Sequence, residues 1–94
     1  MTSIESAAAL LGVLSHPARM HVVALLADHS PRTVGELRRL TGMESTALSH
    51  QLRILRTANL VTSEKQGRFR IYRLSDHHVA HIVRDAIAHV EEVG

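Results

Sequence analysis

Gly42 separates two runs that are each too short to hold a fold alone, and its flanks leave few alternatives. Upstream, Thr33 followed three residues later by Glu36 is a capping box, so a helix runs from Val34 to about Thr41. Gly42 then stands where a left-handed C-cap is required, a conformation that glycine reaches without a Cβ clash. Only Met43-Glu44 intervenes before a second run, Ser45 to about Thr57. Its apolar residues Ala47, Leu48, Leu52 and Leu55, with Ile54 beside them, recur at helical spacing. Two short helices joined by a tight glycine-bearing turn make a helix-turn-helix.

The remaining faces of the second helix carry Ser45, Thr46, Ser49, His50, Gln51 and Arg53. Hydroxyl, amide, imidazole and guanidinium groups are those that hydrogen-bond base edges and phosphates in a DNA major groove. A polar helix face without a partner is the bland alternative, and the position of this helix in the motif argues against it. Ser49 and His50 do not form a catalytic pair, because adjacent helical side chains diverge by about 100°.

Leu60 to Glu64, then Lys65-Gln66-Gly67, then Arg68 to Leu74 reads as a β-hairpin with Gly67 in its turn. Alternation sets Phe69 and Ile71 on one face and Arg68 and Arg70 on the other. A basic hairpin after a recognition helix is a wing, with Lys65, Arg68 and Arg70 placed to contact phosphates. Charge distribution agrees. The chain carries only +2 in total, yet Arg32–Arg73 holds nine Arg or Lys against three Glu, a local +6. From Asp76 onward one Arg meets four carboxylates, a local −3. A basic middle suits a polyanion, and an acidic tail suits a cation.

Before the motif, Ile4, Ala7, Ala8, Leu11 and Leu14 mark a first helix from Ser3 to about Ser15, with Ser3 as its cap. Its alanines permit close packing against a partner helix. Pro17 opens a second, largely apolar helix whose exposed side takes Arg19 and His21, and Asp28–Arg32 is a loop. Ninety-four residues allow one domain, residues 1–94, with a core only marginally stabilising by itself. Since 45% of the residues are nevertheless apolar, spare apolar surface argues for a dimer. The absence of cysteine excludes disulfides and thiolate metal sites. No signal-peptide pattern and no apolar run near ~18 residues is present, so the expectation is a cytoplasmic protein with no membrane partner.

The last segment, Asp76 to Glu92, contains no Gly or Pro and four of the eight histidines. As one helix it sets His78, Ile82, Asp85, His89 and Glu92 on one face, beside apolar Val79, Val83, Ala86, Ile87 and Val90. His78 and His89 point the same way, but eleven residues at ~1.5 Å each hold them roughly 16 Å apart. Ligands of one Zn²⁺ sit ~2 Å from the metal, so a single copy cannot bring both to one ion. Two antiparallel copies can, because Asp76 and His78 of one then meet His89 and Glu92 of the other. Two equivalent N₂O₂ sites per symmetric dimer follow.

Across almost its whole length the chain resembles the ArsR/SmtB family of winged-helix metal sensors. The resemblance is carried by Leu14-Ser15-His16-Pro17-Ala18-Arg19, Ser49-His50-Gln51-Leu52-Arg53-Ile54-Leu55-Arg56, Ala58-Asn59-Leu60-Val61, and Gly67-Arg68-Phe69-Arg70-Ile71-Tyr72-Arg73-Leu74. Asp76, His78, His89 and Glu92 match that family's last-helix metal pattern in all four positions, and the third helix lacks the cysteines of its arsenic, cadmium and lead sensors. Asn59 stands where the family often has Gly, and Asn also tolerates a left-handed backbone.

The resemblance implies a mostly α winged helix-turn-helix with a β-hairpin, dimerising through its first and last helices. The recognition helix spans about 45–57, the wing about 60–74, and the dimer and metal helix about 76–92. It also implies a repressor that leaves double-stranded operator DNA on binding Zn²⁺, with Ni²⁺ or Co²⁺ as alternatives; His81, near the Glu92 edge of the stripe, is a candidate additional ligand. The competing reading keeps the dimeric winged helix but makes the histidine-rich helix structural, the signal being another ligand or a protein. No nucleophile with a positioned base and no phosphate loop points to an enzyme.

Overall fold

The computed structural model describes residues 2–94. Among these the order is α1 (Ser3–Leu14), α2 (Pro17–Asp28), β1 (Arg32–Thr33), α3 (Val34–Thr41), α4 (Ser45–Thr57), β2 (Val61–Gln66), β3 (Phe69–Leu74) and α5 (His77–Val93). The helix-turn-helix forms as its punctuation requires. Thr33 Oγ1 accepts from the Glu36 amide at 3.1 Å, and Glu36 Oε1 accepts from the Thr33 amide at 2.9 Å. Gly42 takes φ 73° and donates to the Arg38 carbonyl. The Thr41 hydroxyl donates to the Leu37 carbonyl and accepts from the Met43 amide, tightening the turn.

The core is aliphatic. Val22, Val23 and Leu26 of α2, Leu37 of α3, and Leu48, Leu52 and Leu55 of α4 close against Leu60, Val61, Tyr72, Val79 and Val83. With α2 at the centre, α4 is fixed on one side and α5 on another. Arg84 on α5 donates to the Ala27 carbonyl near the end of α2, fastening the two helices further.

Several local expectations are corrected. Thr2, not Ser3, caps α1, through a second capping box with Glu5. The segment expected as a loop ends in a strand: Arg32 and Thr33 pair with Tyr72 and Ile71, so the wing hairpin belongs to a three-stranded antiparallel sheet in the order β1-β3-β2. Lys65 and Gln66 extend β2, leaving the turn to Gly67 and Arg68. Phe69 is 54% exposed, because the face of β3 that joins the core cluster is that of Tyr72 and Leu74, opposite to Phe69 and Ile71. Arg19 is half-buried, with its Nε enclosed and without a hydrogen-bond partner among the described residues. Asn59 adopts φ 60°, in keeping with its tolerance of that region.

The first and last helices leave apolar surface uncovered. Every side chain from Ser3 to Ala9 is exposed, and of the five apolar residues expected on α1 only Leu14 is buried. On α5, Val79, Ala80 and Val83 are buried, whereas Ala86 and Ile87 are exposed and Val90 is 65% exposed. An isolated twelve-residue helix is marginal in water. α1 therefore depends on its packing against the core through Leu10, Val13 and Leu14.

Candidate metal helix and nucleic-acid interface

On α4, Ser45, Thr46, Ser49, His50 and Arg53 are all exposed, on the side away from Leu48, Leu52 and Leu55. Gln51 differs. It is half-buried, and its Oε1 is enclosed without a hydrogen-bond partner among the described residues, so the carbonyl end of this side chain faces inward. A helix position that looks polar in sequence thus sits at the border of the core.

The wing carries Lys65, Arg68 and Arg70, all exposed. Lys65 and Arg70 are direct cross-strand partners. Like charges placed opposite each other are unfavourable in isolation, and a nearby polyanion reverses the sign. Arg70 is steadied by donating from Nη1 to the Ser63 hydroxyl at 3.1 Å, while the Arg68 guanidinium lies 5.3 Å from the Phe69 ring centre. Between α4 and the wing runs a groove of about 440 Å³ that brings together Ser49, Arg53, Arg56, Arg70 and Tyr72. Arg56 was not among the expected DNA contacts. Its spacing of three from Arg53 is the signal for it, since i and i+3 share a helix face. Three guanidiniums from two elements make this groove a cationic surface.

Asp76, His78, His89 and Glu92, and also His81, are exposed along α5. Asp76 already serves the fold as the N-cap, with Oδ1 accepting from the Val79 amide at 3.2 Å. The helix accordingly begins at His77, not at Asp76. Capping uses one carboxylate oxygen and fixes the side chain, leaving Oδ2 without a partner among the described residues. Along a straight helix, Asp76 and His78 lie at one end and His89 and Glu92 near the other. Among the described residues no group of three or more His, Asp or Glu converges within one chain. The donor types fit a borderline divalent ion, two imidazoles and two carboxylates, but as two half-sets at opposite ends of one helix.

Comparison with known proteins agrees with this architecture. The family described as bacterial regulatory protein, arsR family, matches residues 16–63. The HTH-type transcriptional repressor SmtB of Mycobacterium tuberculosis is 43% identical over 89 residues, covering 95% of this chain; the chain spans 65% of the length of that repressor. The crystal structure of M. tuberculosis Rv0081 superposes with a TM-score of 0.83 at 32% identity, covering 99% of this chain and 94% of that one. A homodimeric winged helix-turn-helix DNA-binding domain from Mycobacterium bovis, Mb0332, also reaches 0.83, at 26% identity, over 95% of this chain and 82% of its own. These relatives are regulators, not enzymes. By sequence and by winged helix-turn-helix fold, the chain belongs to the bacterial arsR family of regulatory proteins.

Proposed function

We propose that the chain is a homodimeric transcriptional repressor that holds operator DNA through α4 and the wing, and releases it when a divalent transition metal, Zn²⁺ in the first instance, binds at the dimer interface. The observation that carries this reading is the division of the α5 donors into two exposed half-sets, Asp76 with His78 and His89 with Glu92, which antiparallel pairing of two α5 helices would unite. Exposed Ile4 and Leu11 on α1, and Ile87 and Val90 on α5, supply apolar surface for that pairing. The homodimeric state of the M. bovis domain, and the repressor role in the name of the M. tuberculosis relative, support it.

In the dimer, two α4 helices would enter successive major grooves of an inverted repeat, so the distance between them decides whether both fit at once. That distance depends on how α5 seats against its partner, because α5 and α4 are both packed on α2. A bound ion supplies ligand bonds that tie the half-set of one chain to that of the other. His78 and His89 would hold the helix pair, and Asp76 would serve as both cap and ligand. A coupling of about 1–3 kcal/mol between ion and DNA is a typical allosteric link, and DNA must weaken metal affinity by the same factor.

The capping bond of Asp76 favours a second reading, in which α5 is a structural interface and the signal is another ligand or protein. One experiment separates the two. The His89→Gln protein, assayed by fluorescence anisotropy on operator DNA with and without Zn²⁺, should bind DNA like the parent and lose release by metal. Release that persists in this variant would remove His89 from the site.

A further inference from the structure

One edge of α5, between Arg84 on the side that meets α2 and the Glu92 border of the donor stripe, carries a second pair of imidazoles. His77 and His81 are four residues apart and exposed, with ring centroids 5.8 Å apart and planes at 88°. At about 100° per residue they lie roughly 60–100° round the helix from His78 and from the buried Ala80, and roughly 120–160° from the buried Val79 and Val83, with His81 about 20° from Glu92. Both side chains are exposed in the protomer.

We propose that His77 and His81 form a bis-imidazole site for a divalent transition ion within a single chain, separate from the set shared between two copies. Two imidazoles bound to one tetrahedral ion, with metal–nitrogen bonds of ~2.0–2.1 Å, have ring centroids roughly 5 Å apart. The observed separation closes to this by side-chain rotation alone. Spacing of four residues on one helix is also how paired histidines in H-E-x-x-H motifs reach one zinc. Because no third His, Asp or Glu converges with the pair among the described residues, water completes the shell. Asp85, one turn beyond His81, is placed to accept from the second ring nitrogen of His81 and orient it. Arg84 on the same edge is engaged with the Ala27 carbonyl. Two neutral nitrogens and water rank Cu²⁺ above Ni²⁺ and Zn²⁺.

The pair needs no second chain, so it stands or falls independently of the dimer site. The rings of His77 and His78 lie only 4.1 Å apart, so the test first removes the shared set. The metal-free His78→Gln/His89→Gln chain is titrated with Cu²⁺ alone and followed by electron paramagnetic resonance. One ion per chain with hyperfine structure from two nitrogens is expected. Adding His77→Gln or His81→Gln should abolish that signal and weaken binding by more than the roughly tenfold that even an outer-shell change costs. Circular dichroism should stay unchanged, since both residues are exposed. Absence of bound Cu²⁺ in the double variant, or binding indifferent to both further substitutions, overturns the assignment.

Discussion

Replacing Leu11 by Ala separates the proposed interface from the core. Leu10 and Val13 on the same helix pack on the core, whereas Leu11 is 52% exposed in the protomer. Fully burying a leucine is worth ~1.5–3 kcal/mol, and about half of this side chain is already covered, so its further burial in a dimer contributes about 1 kcal/mol per chain. Two-fold symmetry counts it twice, giving about 2 kcal/mol per dimer. At ~1.4 kcal/mol per factor of ten, the dimer dissociation constant should rise roughly 30-fold. Sedimentation equilibrium over a concentration series reads this directly, while circular dichroism of the dilute protein should not change. A dissociation constant within about twofold of the parent's would refute placing α1 at the interface.

Other consequences follow for the wing, the motif and its turn. Arg70→Ala should weaken DNA binding about equally across sequences and reduce the slope of log affinity against log salt by about 0.9, measured by anisotropy from low to moderate salt. The Thr33 amide, and to a lesser degree its hydroxyl and the charges of Arg32 and Arg39, hold the Glu36 carboxyl below its ordinary value of 4.5. The unfolded chain then takes up this proton more readily than the folded one. The contribution of Glu36 is complete above that value and lost as pH falls through the lower folded one, so Glu36→Gln should flatten the acid limb of a urea-denaturation pH series. Asn59→Val forces a β-branched residue into the left-handed region and should cost about 1–2 kcal/mol in the same denaturation assay.

Where local chemistry decides the outcome, the residues announce it. The Thr33–Glu36 box, Gly42 and the leucine spacing of α4 set three boundaries without reference to anything distant. Gly67 does the same for the wing turn. Features that depend on tertiary partners were hidden. Arg32 and Thr33 have no strand-like periodicity of their own and become β1 only because Tyr72 and Ile71 pass beside them. Phe69 alternates like a core residue, but the core lies on the opposite face of β3, with Tyr72 and Leu74. Gln51 has the composition of a surface position and the surroundings of a border one. For α5, spacing made the stripe of candidate donors legible, and the structure adds that Asp76 also caps the helix.

One mixing experiment tests the proposed site shared between two copies of α5. His78→Gln and His89→Gln proteins, alone, should each lack the intense tetrahedral Co²⁺ absorption of the parent, because every site in either homodimer has lost a ligand. Mixed and allowed to exchange subunits, half of the dimers pair one chain of each kind. In those, one site draws its intact His78 and His89 from different chains and the other site loses both. The mixture should recover about a quarter of the parent absorption, and Zn²⁺ should displace it. No recovery on mixing, with exchange confirmed by tagged subunits, would contradict a metal site built across two copies of α5.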